Sequence, residues 1–240
     1  MQSAPQSSRT FAQTLRAAFP HTLPVLAGFP FLGIAYGVLM ASKGYGAFWS
    51  FAASACCFCG SMQFVAITLL TSAFDPLQAF LLTLLVNARH LFYGLSMLGR
   101  YRGAGRLKPA LIYLLCDETF SINATTDAPE GVDKSRFYLC ISLLNYLYWV
   151  GGTLLGGLLG NFVRFDTTGL DFALTALFAV SFLSQWSEQK NRIPAVIGVG
   201  VSALCLAVFG PEHFILPAMA GILAVLLLLR PRLERKEGGQ

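Results

Sequence analysis

Apolar residues gather into runs at roughly 23–41, 47–72, 77–98, 108–124, 137–163, 170–186, 193–209 and 213–230. Each is about long enough to cross ~30 Å of hydrocarbon as a helix. The pattern predicts an all-α, polytopic integral membrane helix bundle of about seven or eight hydrophobic segments. Ahead of the first run, Phe11, Leu15, Ala18 and Phe19 recur at helical spacing. Residues 1–20 are therefore expected to be a polar to amphipathic tail whose helix lies on the membrane interface. Residues 231–240 are a charged C-terminal tail. The connecting loops are short, and the largest, 125–136, is polar with mixed charge. The expected organisation is thus one transmembrane transporter domain over residues 1–240. Gly33 and Gly37, and later Gly152, Gly156 and Gly160, recur every fourth residue and predict smooth faces for close helix packing.

Composition supports a bilayer as the solvent. Hydrophobic residues make up 55% of the chain and charged residues 12%, with a mean hydropathy of +0.61. That leaves too little polar surface to coat a soluble globule. The net charge of +5 sits in short clusters between apolar runs, a pattern that orients membrane helices and argues against nucleic acid as a partner. Residues 1–20 lack the apolar centre and cleavage site of a signal peptide, so the first spanning helix is expected to direct insertion into the inner (cytoplasmic) membrane. Simple alternation of eight crossings sets Arg100, Arg102, Arg106 and Lys108 opposite both Arg9 with Arg16 and the group Arg230, Arg232, Arg235 and Lys236. One segment that does not cross relieves part of this conflict. The second run is expected to be that segment, because Gly60-Ser61-Met62-Gln63 interrupts its middle. A broken pair of half-helices can return to the side it entered from, which brings the N-terminal and Arg100 clusters together. No internal sequence repeat is visible.

Three polar islands lie inside these hydrocarbon-like runs, where burial costs several kcal/mol without partners or a wet cavity. In the first, Gly60-Ser61-Met62-Gln63, a helix break exposes backbone N–H groups whose positive dipole end suits a carboxylate; the alternative is a packed kink. In the second, Asn87-Ala88-Arg89-His90, helical spacing puts Asn87, His90 and Gly94 on one face and Arg89 with Tyr93 on another. Arg89 lies too deep to snorkel easily, so it either pairs with an acid in the bundle or receives a substrate carboxylate. The third, Cys116-Asp117-Glu118-Thr119-Phe120-Ser121-Ile122-Asn123, aligns Asp117 with Ser121 and Thr119 with Asn123. Its acids can neutralise Arg89, bind an ammonium group or carry a proton; alternatively the segment ends early and both sit at the interface. Tyr148 and Trp149 are read as interfacial belt residues. Cys56 and Cys59 have C-x-x-C spacing, but no second pair or histidine cluster completes a metal site, and no cofactor is expected. The chain has no P-loop and no evident hydrolytic triad. An intramembrane enzyme would need Asp117, Glu118 and His90 to converge within hydrogen-bond reach, which spacing alone does not provide.

The segments Phe29-Pro30-Phe31-Leu32-Gly33-Ile34-Ala35-Tyr36-Gly37, Gly60-Ser61-Met62-Gln63-Phe64, Asn87-Ala88-Arg89-His90-Leu91-Phe92-Tyr93-Gly94 and Asp117-Glu118-Thr119-Phe120 occur in this order. Asp171-Phe172-Ala173-Leu174-Thr175-Ala176-Leu177-Phe178 follows. Together they resemble the AzlC/YgaZ family across most of the chain. The resemblance implies export of branched-chain amino acids, sometimes methionine, by a heteromeric complex with a small hydrophobic subunit of the AzlD/YgaH type. A zwitterion with an apolar side chain needs an anion site, a cation site and an apolar pocket close together. Arg89 or the Gly60-Ser61 terminus is expected to hold the carboxylate, and Asp117 or Glu118 the ammonium or a proton. Met62, Phe64 and Phe92 are expected to flank the side chain. Gln63, Asn87, His90, Ser121 and Asn123 complete the candidate set, with His90, Asp117 and Glu118 the titratable members for proton coupling. The rival readings are a carrier or channel for another small solute, or a structural scaffold whose polar islands tie helices together.

Overall fold

The computed structural model describes residues 10–73, 75–162 and 192–214, with scattered positions between 172 and 186 and all but 219 and 223 between 217 and 229. The tails 1–9 and 230–240, and most of the apolar run 170–186, lie outside the described residues. Among those described there are helices and no strand, as the run lengths predict. Contacts divide the chain into two compact units, Met1–Ala173 and Leu174–Gln240.

The first unit opens with α1, Phe11–Ser42. Residues 11–20 do not form the separate interfacial helix expected; they run unbroken into the first spanning segment, through Pro20, Pro24 and Pro30. Each proline removes one backbone donor. Tertiary packing offsets the loss, because Ala18, Thr22, Val25 and Phe29 are buried along the same helix. The main partner of α1 is α7, Lys134–Phe162. Gly33 meets Thr153, Gly152 meets Pro30, Gly156 meets Ile34, and Gly160 meets Val38. The numbers climb together, so the two helices are parallel. A β-carbon on Gly33 would lie 2.9 Å from the backbone nitrogen of Thr153, and one on Gly152 2.7 Å from the carbonyl oxygen of Pro30. The two glycine faces read from the sequence therefore pack against each other.

The second apolar run is broken into α2, Ala47–Cys57, and α3, Gly60–Thr71. At about 17 Å each, neither half spans a bilayer. They fold back on each other: the Tyr45 hydroxyl donates to the Leu70 carbonyl at 3.0 Å, and Gln63 Nε2 donates to Ser54 Oγ at 2.8 Å. The run thus re-enters, with its tip at Phe58–Cys59. That is two residues earlier than the sequence break suggests, and Gly60 opens the second half-helix. Phe58 holds the turn in the left-handed region (φ 32°, ψ 52°) while its ring packs edge-on to Tyr146 at 5.1 Å.

A spanning helix, α4 (Pro76–Met97), leads to a second broken run: α5, Lys108–Tyr113, and α6, Asp117–Thr125. Two tight turns link Tyr101 to Leu107, so α5 begins beside the end of α4. Its far end hands over to Asp117, which reaches Arg89 in α4. From there α6 follows α4 back: Phe120 stacks on Tyr93, Asn123 donates to the Tyr101 hydroxyl at 3.0 Å, and Arg100 donates to the Thr126 carbonyl at 3.0 Å. This is a second re-entrant hairpin. Its open end lies with Tyr138, near the start of α7. The open end of the first lies where Ala47 meets Gly157, near the end of α7. The two hairpins therefore enter the bundle from opposite ends, between the three long helices α1, α4 and α7.

In the second unit, α8 spans Arg192–His213 and bends at Gly210, whose φ of 74° requires glycine. By length and hydropathy, Phe11–Ser42, Ala79–Met97, Lys134–Gly160 and Arg192–Gly210 are the spans among the described residues that can cross a membrane.

Candidate functional site

Both hairpin tips converge on Arg89. One guanidinium nitrogen lies 2.7 Å from Asp117 Oδ2, at the first residue of α6, and the other donates to Ser61 Oγ at 2.5 Å, in the first turn of α3. The polar islands of three separate runs thus form one cluster. The Arg89 and Asp117 side chains are 32% and 34% exposed, so the pair is neither sealed nor fully solvated. Cys59 Sγ donates to Asn87 Oδ1 at 2.8 Å, a second link between the first tip and α4. His90 packs edge-on to Tyr93 at 5.5 Å. Arg89 Nε, Asp117 Oδ1 and His90 Nδ1 are buried polar atoms without a protein hydrogen-bond partner. They carry polar capacity that a small zwitterion can use.

The acids resolve an ambiguity left by the sequence. The helical run does end early, at Tyr113, yet Asp117 is not interfacial, because α6 begins inside the bundle with Asp117 and Glu118 in its first turn. Carboxylates there are favoured by the positive end of the helix dipole, and Asp117 by Arg89 as well. In α3 the first intrahelical donor is Gln63, to Cys59, so the N–H groups of Gly60, Ser61 and Met62 carry no bond to a preceding turn.

Other candidate residues scatter. Gln63 is buried, accepting from Trp149 Nε1 at 2.7 Å and donating to Ser54. Met62 and Phe64 are buried, Phe64 edge-on to Tyr36 at 5.5 Å. Phe92 points outward at 52% exposure, and Ser121 is exposed. Asn123 is fully buried between Tyr101 and Ser142. Glu118 is half-buried beside Asp117.

Trp149 corrects the belt reading: it is 2% exposed, donates to Gln63, and lies against Gly60, where a β-carbon would come within 3.1 Å of its ring. Tyr148 lies 3.1 Å from Thr22 Oγ1, paired with α1. The missed signal was periodic. Ser142, Asn145 and Trp149 form a stripe on α7, and they meet Asn123, Thr119 and Gln63 respectively. A cavity of about 380 Å³ between α4 and α5 begins at His90 and Gly94 and reaches Tyr101 and Lys108. Its size falls within the range of small-molecule sites.

The family model described as AzlC protein matches residues 24–163, which include the hairpins, Arg89 and most of α1 and α7. The chain belongs to the AzlC family. It is 52% identical over 92% of its length to the branched-chain amino acid transport protein AzlC of Bacillus subtilis, covering 87% of that protein. It is 36% identical to an uncharacterized membrane protein of Haemophilus influenzae, with 96% of this chain and 95% of that one covered. An uncharacterized membrane protein of Archaeoglobus fulgidus is 27% identical, over 88% and 90%. No solved structure matches. As an AzlC protein with long apolar helices, the chain is an all-α integral membrane protein of a transport family, not an enzyme.

Proposed function

We propose that this AzlC protein exports branched-chain amino acids, namely valine, leucine and isoleucine, with methionine as a further substrate. It works in the cytoplasmic (inner) membrane with a small hydrophobic AzlD/YgaH-type subunit, and higher oligomers are compatible with this. The observation that carries the reading is Arg89, set between two half-helix tips deep in an apolar bundle with Asp117 as its partner. The name of the Bacillus subtilis relative supports the substrate class. The carboxylate binds at Arg89 beside the start of α3, and the ammonium at Asp117 or Glu118. The apolar side chain lies in the surrounding hydrophobic wall. Outward movement of substrate is driven by proton entry, with His90, Asp117 and Glu118 as the titratable groups of the site.

The test is leucine efflux from cells preloaded with a leucine-containing dipeptide, the chain being co-expressed with the small subunit. Alanine efflux is the control. The expected result is leucine-selective efflux that requires both subunits and is lost in Arg89→Ala and Asp117→Ala at matched membrane abundance. Efflux no higher than the empty vector, with the complex intact in the membrane, overturns the substrate assignment and favours another small solute or a scaffold.

A further inference from the structure

We infer that α1 to α6 form an inverted repeat, each half a spanning helix followed by a re-entrant hairpin, and that the hairpins are opposed gates sharing one latch, Arg89. The inference rests on the transport reading only for the word gate; the topology stands without it.

The first half is α1 with the α2–α3 hairpin, and the second is α4 with the α5–α6 hairpin. In the first, the helix ends at Ser42 and the hairpin dips in from that end and returns to it, as the Tyr45–Leu70 hydrogen bond requires. In the second, the helix ends at Met97 and the hairpin dips in from the opposite end and returns, as the Arg100–Thr126 bond requires. Helix, reversal, half-helix, break and half-helix recur in the same order with opposite sense. This is the arrangement of inverted-topology transporters, whose sites lie where the repeats meet. Here the two breaks, Phe58–Cys59 and Leu114–Cys116, meet around Arg89. The Tyr113 hydroxyl also donates to the Ala55 carbonyl, so the second hairpin touches the first directly. Such a repeat is hidden in the sequence, since helix order and break position are kept while the residues differ.

Charge fixes the orientation. The end holding the start of α1 and α7 carries Arg16, Lys134, Arg136 and four basic residues between 100 and 108. At the opposite end of this unit, Lys43 is the only basic residue among those described. Positive charge stays in the cytoplasm. The α5–α6 hairpin therefore faces the cytoplasm, and the α2–α3 hairpin faces outward.

Arg89 bonds to each tip through a different nitrogen, Asp117 on the inner gate and Ser61 on the outer. Both tips are held through one side chain, so a ligand carboxylate that takes over either of the two nitrogens bonded to Asp117 and Ser61 loosens the corresponding gate. This ties substrate binding to opening without a separate signal.

Thiol chemistry tests both parts, and it needs no transported solute, so it can fail while export holds, or the reverse. For topology, single cysteines are introduced into a chain lacking its native six. Lys43→Cys and Ser72→Cys should react with a membrane-impermeant maleimide on intact cells, and Arg102→Cys and Glu130→Cys only after permeabilisation. If Lys43→Cys and Ser72→Cys fall on opposite sides, or all four on one side, the inverted repeat is wrong. For the latch, chains keep only Cys59 at the outer tip or only Cys116 at the inner tip. Asp117→Ala should raise the reaction rate of Cys116 from the cytoplasmic side by about tenfold and leave Cys59 unchanged, Ser61→Ala should do the converse, and Arg89→Lys should raise both. Rates at both tips that ignore these substitutions, or that always move together, overturn the shared latch.

Discussion

Lysine in place of Arg89 keeps the charge but loses the planar fork that reaches Ser61 and Asp117 together. Arg89→Lys is therefore predicted to lower leucine efflux by on the order of tenfold at unchanged membrane abundance, as the loss of one charge-assisted bond would. Phe92→Ala is the matched control, because the ring points outward, and efflux within twofold of the parent chain is the outcome to expect of a residue near Arg89 in sequence and not in the site. Gln63 is held differently. It is 3% exposed and bridges Trp149 to Ser54, so Gln63→Leu leaves the indole N–H without its acceptor. A buried donor left unpaired costs about 1–3 kcal/mol. The measurement is thermal unfolding of the detergent-purified protein, which should shift to lower temperature for Gln63→Leu and hardly move for Phe92→Ala.

At the scale of elements, the parallel pair of α1 and α7 depends on backbones in direct contact. A β-carbon on Gly37 would run into the backbone of Thr153 and Gly157, and one on Gly156 into that of Ile34. Backbone cannot swing aside as a side chain can, so Gly37→Ala or Gly156→Ala must push the helices apart, at an overpacking cost of about 1–3 kcal/mol. Both variants are predicted to show reduced abundance in the membrane and a lower unfolding temperature. Gly94→Ala, with open space around its α-carbon, should match the parent chain in both. The second hairpin is more polar than the first and leans on side-chain bonds from α6 to its neighbours. Asn123 joins Tyr101 and Ser142, and Thr119 joins Asn145. Asn123→Ala should loosen the α6 leg without touching Arg89, and the observable is faster cytoplasmic-side modification of Cys116 with little change at Cys59.

Across the first unit, basic residues crowd one end and hairpins enter from both, so orientation and gating follow from the same architecture. The charge conflict raised by eight simple crossings dissolves here for the N-terminal and Arg100 clusters, because the second apolar run, which lies between them in the chain, does not cross. The C-terminal cluster at 230–236 lies outside the described residues. The proposed small subunit also belongs to this scale. The two chains carrying distinct affinity tags should co-purify from mild detergent, and omitting the small subunit should abolish leucine efflux while the topology of Lys43→Cys and Ser72→Cys stays the same.

What the sequence by itself determined was the solvent, the helical class, the packing glycines and the existence of three polar islands. Each of these is written in local order: run length, hydropathy, a four-residue glycine spacing, or polar residues where hydrocarbon should be. It also carried the re-entrant second run, since a broken run combined with misplaced charge leaves few alternatives. What it did not determine was contact between runs. That Arg89 pairs with Asp117, that Trp149 is buried on Gln63, that residues 11–20 join α1, and that the fourth run is also a hairpin all depend on residues far apart in the chain. Hydropathy reports only whether a position avoids water. Which buried polar group satisfies which other is settled when the helices pack, and in a bilayer a group left without a partner costs several kcal/mol.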